Sequence, residues 1–453
     1  MRLADLQNKT VAIWGAGRDG ESALRCLRAR FPQKPLTVLS DQPIAESRRC
    51  ELAHLTPLRF ESGDAIATAL CHHEVVIKSP GISIYNNSIL AAQRQGTVFT
   101  STANLFFAEI KDSQIIAVTG TKGKSTTASI IQHCLLKMGV ASEICGNIGK
   151  PFLDFLERAA QTKVWVVEFS SYQAADLIPF SKIAVLVNLF PEHTDWHGSL
   201  ENYFRDKLHM FTPLTDKATI LNFRDERTRH FTAGWPNVSY FESPDTIHVR
   251  GDEIFRSDKS LGPVQAKNLQ GRHNLANLCA ALTALEAAGF DAQRCLKTLV
   301  DFQGLPHRQM LVGTRNGLTF IDDSISTTPE STLAAIERYH DASLTLLLGG
   351  HDRKQDYHQL ADNICSRNIP LVITLPNNGD RIAAAINAAK EKYQTGPDVV
   401  AATDFSSAVS EAIRMTPSGG MVLLSPAAPS YGTFENYVER GKTFQRLVGF
   451  PLK

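Results

Sequence analysis

Chemistry in this chain concentrates in one short stretch. Ile115-Ile116-Ala117-Val118-Thr119 reads as a buried strand running into Gly120-Thr121-Lys122-Gly123-Lys124-Ser125-Thr126, a glycine-rich turn that opens a helix. In that setting backbone N–H groups can cradle phosphate oxygens, Lys124 can reach the β- and γ-phosphates, and the Ser125 hydroxyl can ligate Mg²⁺. The spacing Gly-x-x-Gly-Lys-Ser is two residues shorter than the general phosphate loop. Six fixed identities of this kind arise by chance in roughly two chains per 100,000 of this length, so a plain structural turn is a poor explanation. Glu168 ends the apolar run Val164-Trp165-Val166-Val167, where a strand delivers a carboxylate to the edge of a sheet. Standing alone it would read as a capping or salt-bridged glutamate; beside a phosphate loop it reads as a metal ligand. His193-Thr194-Asp195-Trp196-His197 offers three side chains for a transition metal within five residues, whereas Mg²⁺ would prefer oxygen. Lys207 by itself reads as a solvated helix residue.

A second glycine motif lies near the start. Gly15-Ala16-Gly17-Arg18-Asp19-Gly20 follows a strand, opens a helix, and is followed by Asp41 at the end of the next strand. Glycines at these positions let backbone N–H groups approach a diphosphate, although a tight turn packing helix on sheet has the same pattern. Nicotinamide dinucleotide is one occupant that fits, and it would make the chain an oxidoreductase. That reading leaves the phosphate loop and everything downstream without a purpose.

The elements that must position these residues are strands and helices in alternation, which predicts parallel α/β sheets. Strands are expected at 10–14, 36–40 and 75–78, then at 115–119, 164–169, 183–189 and 218–222. A small antiparallel insert is expected over 238–265, with helices at 274–288 and 291–300. A third series predicts strands at 318–322, 344–348, 371–375, 399–402 and 421–424, separated by helices at 331–339, 380–392 and 405–415. Turn-rich joints near 96–113 and 301–308 divide the chain into domains of 1–104, 105–303 and 304–453. The predicted fold class is α/β in three domains: a Rossmann-like N-terminal domain, a central P-loop ATPase-like domain and a C-terminal Rossmann-like domain.

The chain has 453 residues, which matches about three domains at the usual size. Lys and Arg number 47 against 46 Asp and Glu, a net charge of +1 that argues against a nucleic-acid binder. With 43% apolar and 21% charged residues the composition is that of a folded globular protein. The sequence shows neither an apolar run of membrane-spanning length nor a secretory leader, so no membrane partner is expected. Eight scattered cysteines without a Cys-x-x-Cys pair read as free thiols of a reducing, cytoplasmic compartment.

Gly120-Thr121-Lys122-Gly123-Lys124-Ser125-Thr126 resembles the contracted phosphate loop of the Mur ligase family, and further motifs follow in family order. These are Gly146-Asn147-Ile148-Gly149, Glu168-Phe169-Ser170-Ser171-Tyr172-Gln173, and the stretch from Asn188 to Glu192-His193-Thr194-Asp195. Next come Gly271-Arg272-His273-Asn274-Leu275-Ala276-Asn277, Pro306-His307-Arg308, Asp322-Asp323-Ser324 and Leu424-Ser425-Pro426-Ala427-Ala428-Pro429-Ser430. The matches run from about 115 to 440, and the likeness is to the glutamate-adding branch. The resemblance implies an ATP-dependent ligase of peptidoglycan precursor synthesis. It would activate the carboxylate of UDP-N-acetylmuramoyl-L-alanine as an acyl phosphate and couple it to glutamate, yielding ADP and phosphate.

It implies ATP binding by Gly120, Thr121, Lys122, Gly123, Lys124, Ser125, Thr126, Asn147, Asn274 and Asn277, with Arg308 and Asp323 closing on ATP from the third domain. Asn274 and Asn277 share one helix face, although Asn274 could equally be an N-cap. The catalytic set would be Lys124, Glu168, His193 and Lys207. Of these, Glu168, His193 and a carbamylated Lys207 would join Ser125 at Mg²⁺. Gly15, Gly17, Gly20, Asp41, Ser79, Pro80, Gly81 and Ser170 would meet the nucleotide sugar, whereas Thr327, Arg353, Ser430 and Tyr437 would meet glutamate.

Two segments depart from the D-glutamate-adding pattern. After Asp323-Ser324 that pattern continues Lys-Ala-Thr-Asn, but here the chain reads Ile325-Ser326-Thr327-Thr328, without the lysine. The stretch Ser101-Thr102-Ala103-Asn104-Leu105-Phe106 lacks acidic residues common before the phosphate loop. Inverting a Cα while anchoring both carboxylates moves the attacking amine, and such loops are where compensation belongs. Together with the Gly15–Gly20 opening they look more like a variant branch that adds L-glutamate and leaves epimerisation to another enzyme. D-glutamate is the alternative acceptor, and an ATP-gated binding module without ligase chemistry is the non-enzyme alternative. A monomer is expected.

Overall fold

A computed structural model describes residues 1–110, 113–178, 182–192, 194–211, 218–266, 269 and 271–452. The chain divides into two compact units, Met1–Phe302 and Gln303–Lys453.

The first unit holds two parallel sheets. In the first sheet, β1 (Val11–Trp14), β2 (Leu36–Ser40), β3 (Leu58–Ser62), β4 (Val75–Lys78) and β5 (Val98–Thr100) lie in the order β3-β2-β1-β4-β5. Both neighbours of β1 pair with it in parallel, so the chain reverses its winding between β1 and β4. In such sheets the crevice at the carboxyl ends of those two strands is where ligands bind. The glycine turn after β1 and the Ser79-Pro80-Gly81 turn after β4 occupy that edge. The central sheet contains β6 (Gln114–Thr119), β7 (Ser142–Gly146), β8 (Val164–Glu168), β9 (Ile183–Leu186), β10 (Ala218–Asn222) and β11 (Val238–Phe241), in the order β11-β10-β9-β6-β8-β7. Here β6 lies between β8 and β9, so the phosphate loop, Glu168 and Asn188 leave three adjacent strands at one edge. An antiparallel ribbon, β12 (Ile247–Arg250), β13 (Glu253–Arg256) and β14 (Lys259–Pro263), follows.

The second unit is one sheet. Its strands are β15 (Met310–Arg315), β16 (Leu318–Asp322), β17 (Leu344–Leu348), β18 (Leu371–Thr374), β19 (Asp398–Ala401) and β20 (Met421–Leu424), in the order β15-β16-β20-β17-β18-β19. β15 is antiparallel to β16 and the other pairs are parallel.

The structure corrects several expectations. The stretch around 96–113 is not a turn-rich joint: Thr102–Glu109 is a helix, with Ser101 as N-cap accepting from Asn104 N at 3.3 Å. Polar residues that suggested a linker are the start signal of that helix. Its apolar face carries Phe106 against Trp165 (5.0 Å between centroids) and Phe152 (5.7 Å). One continuous core therefore runs from Val11 and Ile13 of the first sheet to Trp165 and Leu221 of the central one. The expected insert over 238–265 is also divided. β11 extends the central sheet in parallel, and only β12–β14 are antiparallel. The expected strands at 164–169 and 183–189 stop at Glu168 and Leu186, because the chain turns there into functional loops. β3, β5, β7 and β15 escaped notice because they are short or mixed in polarity, as edge strands are.

Phe106→Ala is expected to destabilise the first unit by about 3–5 kcal/mol through the cavity it leaves between the two sheets. Urea unfolding followed by tryptophan fluorescence checks this, since Trp14, Trp165, Trp196 and Trp235 all lie in the first unit. The unfolding transition of the second unit, followed by hydrogen exchange in β17 and β20, is expected to stay in place.

Candidate active site

β6 brings the chain to Gly120, where two lysines meet one carbonyl. Lys124 Nζ donates to Gly120 O and Thr121 O, both at 3.0 Å. Lys207 Nζ, from the helix Leu200–Leu208, donates to the same Gly120 oxygen at 3.0 Å. Lys207 is buried and its ammonium lies over the Tyr203 ring. Burial first, and the neighbouring Lys124 charge second, hold its pKa well below the usual lysine range. A neutral amine is the form this pocket favours.

The loop itself is pinned from behind by Asn188. Thr121 N donates to Asn188 O at 3.1 Å and Lys122 N to Asn188 Oδ1 at 2.9 Å. Gly123 begins the 14-residue helix Lys124–Lys137 in the left-handed region, φ +82°. A Cβ there would lie 2.3 Å from Asn277 Oδ1, so glycine is required by both backbone and space. Asn277 is buried and Asn274 half-buried on the helix Arg272–Ala287, and this contact places Asn277 against the phosphate loop. The first turn of Lys124–Lys137 contains half-buried Ser125 and Thr126 with helix N–H groups suited to anions.

Glu168 is buried at the end of β8. Its Oε1 accepts from Asn147 Nδ2 at 2.8 Å, and its Oε2 has no hydrogen-bond partner among the described residues. The loop from Gly146 wraps this carboxylate: Asn147 N donates to Glu168 O at 2.9 Å, and a Cβ on Gly146 would lie 2.1 Å from that same oxygen. A buried anionic oxygen left unpaired is costly unless a cation meets it. Glu168 Oε2 therefore has the chemistry to meet a cation.

His193 lies outside the described residues. His197 does not support the transition-metal reading, since both ring nitrogens are committed. Nδ1 donates to Asp206 Oδ2 at 2.6 Å and Nε2 meets the Ser171 hydroxyl at 3.0 Å. Among the described residues no group of three or more His, Cys, Asp or Glu side chains could hold a metal. Asp195 is exposed. Ser170 caps the short helix Ser171–Ala174 and accepts from Gln173 N at 3.2 Å.

At the first sheet, Gly15 has φ +114° and a Cβ on it would lie 2.3 Å from Ser79 Oγ; a Cβ on Gly20 would lie 1.8 Å from Gly15 O. These two glycines serve packing of the turn. A Cβ on Gly17 would meet nothing within 4 Å, which leaves its face open to a ligand. Asp41 accepts from Trp14 Nε1 at 3.1 Å. The Ser79-Pro80-Gly81 turn is held by residues that sequence reasoning passed over. Trp196 Nε1 donates to Gly81 O at 3.0 Å, and buried Lys78 pairs with Asp176 at 3.1 Å. Arg18 Nη2 donates to Gly149 O at 2.8 Å and so joins the glycine turn to the loop around Glu168. A lysine inside an apolar strand was the one available signal for Lys78.

In the second unit, Arg308 is exposed and Asp323 fully buried. Asp323 Oδ1 accepts from Gln309 N at 3.0 Å and Oδ2 from Ser425 Oγ at 2.7 Å, while burial raises its pKa to about 6. Its side chain holds the Arg308 loop. Arg353 lies over the Tyr431 ring, Ser430 is buried, and Thr327 and Tyr437 are half-buried. All four belong to segments that follow β16, β17 and β20.

Parallel sheets with a phosphate loop, a buried carboxylate and a buried lysine at one edge define a nucleotide-binding enzyme fold. Residues 118–285 match the Mur ligase middle domain, and residues 307–428 match the Mur ligase glutamate ligase domain. UDP-N-acetylmuramoyl-L-alanine--L-glutamate ligase of Xanthomonas euvesicatoria pv. vesicatoria is 39% identical, over 99% of this chain and 97% of the relative. The protein of the same name from Salinispora tropica is 37% identical over 99% of both. Among solved structures, UDP-N-acetylmuramate-alanine ligase from Thermotoga maritima superposes with a TM-score of 0.56 at 16% identity, covering 97% of this chain and 99% of that one. Folylpolyglutamate synthase of Mycobacterium tuberculosis, complexed with ADP, gives 0.57 at 15% identity over 78% and 94%. The chain belongs to the Mur ligase family. No helix among the described residues is long and apolar enough to cross a membrane.

Gly123→Ala is expected to weaken ADP binding by at least about tenfold, since the strained φ and the Asn277 contact must both relax. Titration calorimetry with ADP checks it; unchanged affinity would mean the phosphate loop tolerates a side chain there.

Proposed function

We propose that this protein is an ATP-dependent ligase that joins L-glutamate to UDP-N-acetylmuramoyl-L-alanine in peptidoglycan precursor synthesis. The observation that carries the reading is the near-full-length identity to relatives named as L-glutamate ligases. In this reading the first sheet takes the nucleotide sugar, the central sheet takes ATP, and the second unit takes the amino acid.

In this reading the carboxylate of the alanyl substrate attacks the γ-phosphorus of ATP, forming an acyl phosphate and releasing ADP. The glutamate amine then attacks the acyl carbon, the amide forms, and inorganic phosphate leaves. The first step brings two anions together, so fixed dipoles and cations must neutralise the transferring group. Lys124 and the first N–H groups of Lys124–Lys137 are suited to that task, with Arg308 added from the third domain. Asn274 and Asn277 hold the nucleotide. Gly17 and its turn face the diphosphate of the sugar nucleotide, with Asp41, Ser79, Pro80, Gly81 and Ser170 around it.

The unpaired Glu168 oxygen and the Ser125 hydroxyl fit Mg²⁺, an ion that prefers oxygen ligands. His193 and a carbamylated Lys207 would complete its protein ligands. When bound, the ion would neutralise charge on the phosphate oxygens. Lys207 is suited to carbamylation because its neutral amine can attack CO₂: a C–N bond forms, one proton is released, and an anionic carbamate oxygen replaces the neutral amine. A cytoplasmic monomer, supplied with L-glutamate and followed by an epimerase, completes the proposal.

Phosphate release with ATP and the nucleotide sugar is expected to respond to L-glutamate at least about tenfold more strongly than to D-glutamate. If only the D form works, the stereochemistry is wrong; if neither works, the ligase reading fails. Stripping CO₂ from the buffer is expected to lower turnover reversibly, with recovery on adding bicarbonate. A carbamate signal from ¹³C-bicarbonate should appear in wild type and vanish in Lys207→Met. Full turnover in that variant would remove Lys207 from the mechanism.

A further inference from the structure

The second unit contains a buried arginine that the family motifs above do not use. Arg440 lies on the helix Tyr437–Leu447 and is 1% exposed. Its Nε donates to Ser324 Oγ at 3.0 Å, and its Nη2 donates to Ser324 O at 2.8 Å and Ala428 O at 3.0 Å. Its Nη1 has no partner among the described residues and faces Gly350, where a Cβ would come within 3.1 Å. That same Cβ would lie 2.3 Å from Pro429 O, so only glycine lets the loop after β17 pass this close. The Ser324 hydroxyl, held by Arg440, donates in turn to Tyr437 O at 2.8 Å.

These contacts fall on the segments assigned to the amino acid. Thr327 stands three residues after Ser324, Ser430 two after Ala428, Arg353 three after Gly350, and Tyr437 three before Arg440. The loops follow β16, β20 and β17, three neighbouring strands at one sheet edge. A guanidinium is the one side chain whose planar fork can hold several carbonyl and hydroxyl acceptors at once. Burying it is expensive, and an apolar side chain would pack there at less cost. Burial lowers its pKa to about 9, which leaves it charged at neutral pH.

We propose that Arg440 is the positioning residue of the amino-acid site: its buried guanidinium sets the mutual spacing of the segments carrying Thr327, Arg353, Ser430 and Tyr437. It acts from beneath, through Ser324 and Ala428, without touching the acceptor. The charge it places behind the Ser324 loop stands close to where the D-glutamate-adding pattern has a lysine and this chain has Ile325. The inference rests on the ligase reading and assigns that site a determinant of acceptor affinity.

The test is steady-state phosphate release in Arg440→Lys and Ser324→Ala. Arg440→Lys keeps the charge and loses the fork; Ser324→Ala removes one hydroxyl and keeps the fold's volume nearly intact. In both, KM for glutamate should rise roughly tenfold, while KM for ATP and for the nucleotide sugar stays within about twofold. A fall in thermal stability with an unchanged KM for glutamate would overturn the proposal and leave Arg440 a structural residue. If Arg440→Lys does not fold, Ser324→Ala decides by the same criterion. Wild type without any glutamate-dependent turnover would overturn the ligase reading, and this inference with it.

Discussion

Two lysine amines share the Gly120 carbonyl, and most of the first unit is arranged to make that tolerable. Placing two ammonium groups at hydrogen-bond distance from one oxygen in a buried corner sets their charges against each other. Burial of Lys207, with the Lys124 charge beside it, lowers the pKa of Lys207 and so eases the repulsion. The two amines thereby acquire different chemistry from the same side-chain type. One stands half-buried at the start of a helix, and the other is buried with a lowered proton affinity. Glu168 faces the complementary problem, with a buried oxygen that has no donor among the described residues.

Keeping these groups in register requires the two sheets of the first unit to act as one body. The helix Thr102–Glu109 supplies the apolar part through Phe106, Phe107, Phe152 and Trp165. Polar ties supply the rest. Tyr85 OH donates to Asp206, the residue before Lys207, at 2.8 Å, and Asp206 also receives His197. The turn after β4 is therefore linked by hydrogen bonds to the helix that carries Lys207. Displacing the turn after β4 would be felt at the phosphate loop through packed side chains with little room to relax.

The parallel α/β architecture was legible because buried parallel strands are nearly continuous apolar runs, and 36–40, 75–78, 218–222, 318–322, 344–348 and 421–424 coincide with observed strands. Local motifs were legible for the same reason that they work: the phosphate loop and Glu168 each couple a strand to a turn within a few residues. What stayed hidden depends on distant partners. Nothing near Lys207 announces that its amine reaches Gly120, 87 residues away. Nothing near Ser101 distinguishes a linker from an N-cap until the Phe106 side chain finds Trp165. Arg440 sits in a stretch of charged residues that reads as a solvated helix face, and only the fold turns it inward.

A net charge of +1 in a chain built for strongly anionic substrates then has a physical explanation. Three cations are removed from the surface, since Lys78, Lys207 and Arg440 are buried, while Arg308 and Arg353 stay exposed. Lys78 is paired with Asp176, burial disfavours the charged form of Lys207, and the Arg440 charge is held by carbonyl oxygens with Asp322 and Asp323 nearby. A surface lysine gains little from fixed geometry, since water and salt screen it. Buried, it acts through position, holding a turn, a loop or an amine where a ligand will come. Overall charge therefore says little about such an enzyme; where each ionisable group sits and what holds it says more.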